Sequence, residues 1–326
     1  MRTRNRHRAG SSLIFRAPLF ALACVLVPSA WAQTPISQNV DRAQLLRNQQ
    51  PSVRDSSEAG SDADEEQIAA SPNDPDLGEQ AILKRSDRYQ PFTFFASLPI
   101  SYTSNVALAR TNEQDDVLFT PSVGLSYVPR ITKNLFANVT VGQQFFYYDR
   151  FDDLDFGSFD ARAGLSYLLP QVHDLVLRAD YAFNRLTFDD DLDDEFFSSH
   201  SLNLGAEMPF RFGRAQQLSL GVDLSFNLHA DPEGPGRHDF SAFAAYSLAL
   251  SRSVSLGAVA RVAVRDYVEN DRSDLSGIFA LSVNYRITKS LTASASANYA
   301  TNDSNRDVFD YDVANVGAAL ALTLRF

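Results

Sequence analysis

The chain has 326 residues, 40 of them acidic and 29 basic, for a formal net charge of −11. An excess of carboxylates on this scale repels phosphate backbones and excludes nucleic acid as a partner. The one cysteine, Cys24, leaves no disulfide framework and no cysteine-based metal site.

The N-terminus reads as an export signal over residues 1–32. Arg2, Arg4, Arg6 and Arg8 form a basic head, residues 13–27 an apolar run, and Ala30-Trp31-Ala32 a small-x-small cleavage site. Arg16 and Pro18 interrupt the run, which makes it a poor spanning helix. Cleavage after Ala32 removes five arginines and carries the formal charge to −16. Ala21-Leu22-Ala23-Cys24 offers a lipoprotein alternative, against which stand Ala21, where such a box prefers Leu, and the continuation of the apolar run past Cys24.

Residues 33–90 change character. Between Asp55 and Leu83 stand nine carboxylates and no Lys or Arg, with Ser, Ala, Gly and Pro filling most of the rest. Such a segment buries too little apolar surface to offset its ordering entropy, so a disordered acidic leader is expected. Two pieces, 40–49 and 77–85, are compatible with helix. The alternative reading is that one of them plugs the structure that follows or docks a partner.

From Pro91 onward the pattern has a period of two. In 217–230, Leu218, Leu220, Val222, Leu224, Phe226 and Leu228 alternate with Ser219, Gly221, Asp223, Ser225, Asn227 and His229. The same alternation recurs to the end of the chain and predicts about twelve strands of roughly 10–15 residues, longer than the 9–11 a tilted membrane-spanning strand needs. Strand starts fall near residues 92, 117, 134, 157, 174, 198, 216, 238, 253, 274, 290 and 311. Short connections, such as 129–133, 170–173, 212–215, 251–253 and 288–290, alternate with longer acidic ones. An even number of long strands joined in this way predicts a closed transmembrane antiparallel up-and-down β-barrel over 91–326, with short periplasmic turns and long extracellular loops. The leader then lies in the periplasm. A mean hydropathy of −0.20 is no objection, because only alternate residues meet lipid. Aromatic residues on the apolar face fall near both strand ends, as rings do at lipid–water boundaries.

The last strand sets Val316, Ala318, Leu320, Leu322, Leu324 and Phe326 on one face. It resembles the closing strand of Gram-negative outer-membrane β-barrels, which implies that this face and its terminal Phe are the signal read by the barrel-assembly machinery. Tyr102-Thr-Ser-Asn105-Val106, followed by Asp115-Asp116 and Thr120-Pro-Ser-Val-Gly-Leu-Ser126, resembles the opening hairpin of the outer-membrane β-barrel porin family of the second type. The resemblance covers residues from about 92 to the end. It implies an outer-membrane location, a porin function or a part in export of surface polysaccharide, and no catalytic residues.

The face away from lipid lines the lumen. Its charged candidates are Asp160, Arg162, Arg178, Asp180, Glu207, Asp223, Asp239, Arg261, Arg265 and Arg286, five acids and five bases on an otherwise polar wall. Asp160 and Arg162 are expected to pair across strands with Arg178 and Asp180. Arg261 and Arg265 form a basic stripe; facing the acids, it would set up a transverse field across a pore. The acids at 189–191 and 193–195 lack the Gly and spacing of a dedicated calcium loop and read as a solvated loop. No catalytic pairing is legible: His229 follows Ser225 by four residues on one face, about 13 Å at strand rise. No enzyme activity, cofactor or metal is expected. The expected partners are outer-membrane lipid, lipopolysaccharide, the assembly machinery and, through 33–90, a periplasmic or export component. Three functions follow: a passive channel for small hydrophilic solutes, the barrel of an envelope export or assembly system, or a structural or adhesive barrel.

Overall fold

The computed structural model describes residues 35–48, 90–188, 193–213, 215–269 and 271–326. The predicted signal, most of the leader and the acids 189–191 lie outside these residues. One helix, α1 (Pro35–Asn48), precedes the strands β1 (Phe92–Thr103), β2 (Asp116–Phe119), β3 (Ser122–Tyr127), β4 (Leu135–Tyr148), β5 (Phe156–Leu169), β6 (Leu175–Phe188) and β7 (Glu195–Phe212). The chain continues through β8 (Gln216–Asp231), β9 (Arg237–Ala249), β10 (Val254–Tyr267), β11 (Ser273–Arg286), β12 (Leu291–Ser304) and β13 (Tyr311–Arg325).

β2 and β3 each pair antiparallel with β1 and β4, every other strand pairs antiparallel with its neighbours in sequence, and β13 pairs with β1, so the sheet is a closed barrel of twelve strands. Two labels share one wall position. β2 and β3 both pair with β1 and with β4, and the interruption at Thr120-Pro121 follows from a proline that has no N–H to give the ladder. The side-chain alternation continues unbroken across it, with Val117, Phe119, Val123, Leu125 and Tyr127 all facing out.

Closure is made by the two ends of the barrel sequence. Phe92 and Phe326 exchange backbone hydrogen bonds of 3.1 and 3.0 Å, and the Phe92 ring stacks between Tyr127 at 4.5 Å and Phe326 at 5.9 Å. This cluster belongs to the aromatic belt at the short-turn end. At the long-loop end the second belt holds Tyr147 against Phe119 and Phe145, and Phe226 against Phe240.

Inside, the two ends of the lumen differ. At the long-loop end, inward side chains close around α1 in two apolar clusters. Val40 and Ala43 pack with Val106, Leu118, Phe146, Phe156, Leu186 and Phe197. Leu45 packs with Leu108, Ile278, Ala300, Tyr311 and Val313. The expectation of disorder throughout 33–90 therefore fails for 35–48. The carboxylates that forbid burial begin only at Asp55, whereas 35–48 carries Ile36, Val40, Ala43, Leu45 and Leu46, which together cover an apolar mouth. Of the two alternatives for a leader helix, lumen plug describes 35–48. The second piece, 77–85, lies outside the described residues.

Candidate functional site in the barrel lumen

The middle of α1 is buried, polar residues included: Gln38, Asn39, Asp41 and Arg42 are each under a tenth exposed. Buried polar groups are costly unless they are hydrogen-bonded, and each charged residue of the helix meets a partner on the wall. The Arg42 guanidinium donates to the Thr103 hydroxyl at 3.2 Å, to the Val106 carbonyl at 2.8 Å and to the Asn105 carbonyl. The loop that supplies these carbonyls is itself folded inward. Asn105 accepts from the Ala109 amide at 2.9 Å and donates to its carbonyl at 2.7 Å, which holds Val106 and Leu108 in the mouth. Arg47, at the deeper end of α1, reaches Asp160 of β5 at 3.2 Å. Asp41 and Gln44 accept from Arg237, the first residue of β9.

Below the helix runs a network on one side of the wall. Arg178 of β6 lies 3.7 Å from Glu207 of β7 and 3.4 Å from Asp223 of β8, and Arg261 of β10 lies 3.4 Å from the other oxygen of Asp223. Arg261 spans β9 by lying over the Phe243 ring at 5.3 Å. Its reach depends on small residues. A Cβ at Gly221 would meet Phe243 at 2.4 Å, and one at Gly205 would meet Asp223 at 2.8 Å. Toward the short turns the inner face opens to water, where Arg162 and Arg286 are exposed.

Asp160, Arg178, Asp180, Glu207, Asp223, Asp239, Arg261 and Arg265 meet one another, α1 or other polar wall residues, and the pairing differs from the expected one. The β5–β6 register sets Asp160 opposite Asn184 and Arg162 opposite Ala182, so the expected Asp160–Arg178 pair is six residues out of step and Arg162–Asp180 two. Asp160 takes Arg47 and the Asn184 amide instead, and Asp180 accepts from Asn203 at 3.1 Å. The strand stagger of a closed barrel produces this offset. The transverse field also fails on geometry, because Arg261 adjoins Asp223 and Arg265 stands in register with Asp239 and Asp274. Acids and bases neutralise one another along the same wall.

Sequence alternation misplaces one histidine. A bulge at Leu228 turns His229 outward opposite His200, where the rings stack at 6.0 Å and the Tyr181 hydroxyl meets His200. Ser225 and His229 therefore no longer share a face. His238 lies on β9, its Nδ1 accepting from the Asn227 amide at 3.1 Å. Among the described residues no group of three or more metal-ligating side chains converges. Outside the wall, Arg150 donates to Asp115 at 2.8 Å and holds that carboxyl below its ordinary range.

Missed altogether were Asp41, Arg42, Leu45 and Arg47 as lumen residues, and Arg237 and Arg272 as their neighbours. The helix-compatible run at 40–49 was the available signal.

No protein-family model and no curated protein matches this chain. Among solved structures, an outer membrane channel from Pseudomonas putida F1 aligns over 78% of this chain and 100% of its own, with a TM-score of 0.51 and 12% identity. The fold is that of an outer-membrane β-barrel. The translocator domain of the autotransporter NalP from Neisseria meningitidis aligns over 74% of this chain and 90% of its own, with a TM-score of 0.41 and 12% identity. A bacterial polysaccharide outer membrane secretin gives 71%, 98%, 0.41 and 14% in the same order. At these identities the likeness is one of fold. The membership implied by the opening hairpin finds no matching family model.

Proposed function

We propose that this barrel is a channel for small hydrophilic solutes whose outer mouth is occluded by α1. The observation that carries the reading is the division of the lumen. Its wall is polar and charge-neutralised, and it opens to water at Arg162 and Arg286, while the obstruction among the described residues is α1 with the loop folded in at 105–109, held by side chains. Strands of the wall are locked by continuous ladders, whereas α1 contributes no strand pairing and can leave without opening a sheet edge. Eight strands leave a barrel filled by side chains and sixteen an open pore, so twelve with the helix removed fits a narrow one.

The remaining expectations join this proposal: export through a cleaved signal, a charged lumen lining made of the ten residues named above, assembly read from the closing strand, and contact with lipid and lipopolysaccharide. Planar-bilayer recording of the refolded barrel, with and without residues 33–90, tests the channel. The full chain is expected to pass little current and the shortened one a steady ohmic current. Silence from the shortened barrel, folded by heat-modifiable migration, moves the weight to an export or assembly role.

A further inference from the structure

α1 carries one carboxylate, Asp41, into the most basic part of the lumen. Arg237 donates to it through Nη1 at 2.5 Å, and Arg272 Nη2 stands 4.0 Å from its second oxygen. Arg265, on β10, completes a group of three wall guanidiniums, each 5% exposed or less. The wall supplies two carboxylates against them. Asp274 takes a bidentate pair of bonds from Arg272 at 2.9 and 2.5 Å, and Asp239 lies 3.1 Å from Arg237 without hydrogen-bond alignment. Asp41 is the third acid, and α1 brings it. With the helix withdrawn, a buried positive charge is left uncompensated, which is costly in a low-dielectric setting.

The basic site is built without the helix. The Arg272 guanidinium lies between the Phe309 ring at 3.6 Å and the Tyr267 ring at 4.0 Å. Arg237 lies over the same Tyr267 ring at 5.4 Å and donates to its hydroxyl at 2.7 Å. Stacking of this kind presets the planar donors, so little freedom is lost when an oxyanion arrives. Arg237 also gives its Nη2 to the neutral side-chain oxygen of Gln44. One guanidinium thus receives a carboxylate oxygen and a neutral oxygen side by side, as a hydroxylated organic acid presents them.

We propose that the Arg237–Arg272 pair is a carboxylate-binding site of the outer mouth, occupied by Asp41 while the helix is seated and by a small hydroxylated organic acid when it withdraws. The site rests on the channel reading and names its substrate class. A solute carboxylate displaces the tethered one and thereby favours the open lumen, since it binds only the state in which the site is vacant.

The test uses the full chain with Cys24→Ala and Ala43→Cys, the new thiol lying at a buried position of α1. Its labelling by a bulky polar maleimide reports withdrawal of the helix, independently of any current. Gluconate is expected to speed labelling at least about tenfold, a bias of 1.4 kcal/mol, while glucose and sodium chloride at matched ionic strength leave it slow. Arg237→Gln or Arg272→Gln is expected to label fast and to ignore gluconate. In a second arm, Asp41→Ala also labels fast, and formate, filling the vacated space, restores protection where formamide does not. Equal effects of gluconate, glucose and chloride, or of formate and formamide, overturn the site. A barrel that passes no current yet shows these labelling differences overturns the channel and keeps the site.

Discussion

Leu45 offers a measure of how firmly α1 is seated. Its side chain is fully buried among Leu108, Ile278, Ala300, Tyr311 and Val313. Replacing it by Ala removes its methyl-bearing carbons and leaves a gap lined by three wall strands and a loop, none of which can move inward without breaking ladder hydrogen bonds. Substitutions of this type cost about 2–4 kcal/mol where the surroundings cannot collapse. Because α1 shares no strand pairing with the wall, the loss is expected to fall on helix seating rather than on barrel folding. At 1.4 kcal/mol per decade, the unseated population rises by about 30- to 700-fold. Hydrogen–deuterium exchange of the Leu45→Ala protein reads this directly: amides of 36–48 lose protection by that factor, while those of β5, β8 and β11 keep theirs. Equal loss of protection in the wall strands would refute the idea of a helix held only by side chains. Unchanged exchange in α1 would refute the burial argument itself.

Three further perturbations address the wall and its closure. Deleting Phe326 removes the hydrogen bonds it shares with Phe92 and one stacked ring pair, the latter worth about 0.5–1.5 kcal/mol; the yield of heat-modifiable barrel in the outer membrane is expected to fall, and a normal yield would count against any assembly role for the last residue. Gly221→Val places a Cβ against the Phe243 ring, where 2.4 Å is available, and is expected to destabilise the barrel by about 1–3 kcal/mol in urea unfolding, with Phe243→Ala in the same chain recovering part of the loss. Asp223→Ala removes the carboxylate that Arg178 and Arg261 share; in a conducting barrel lacking 33–90 the reversal potential in a salt gradient is expected to move toward anion preference, and an unmoved potential would place this network off the conduction path.

The sequence alone determined the wall. Alternation of apolar and polar residues set which side chains meet lipid, and the turn spacing set the strand number. Together they located strand starts to within about three residues, because a period of two is a local property of the chain. What stood beside what was decided only by the tertiary structure. Stagger around a closed sheet put Asp180 opposite Gly164 and let Arg178 find Glu207 and Asp223, and one extra residue at Leu228 turned His229 from the lumen to the outer belt. The helix is the strongest case. Residues 35–48 carry too short and too mixed a pattern to announce a buried element, since Gln38, Asn39, Asp41 and Arg42 are buried beside Val40, Ala43 and Leu45. Their fit becomes visible only when Arg237, Asp160, Asn105 and two apolar clusters, drawn from as far along the chain as Val313, are brought to one end of the barrel.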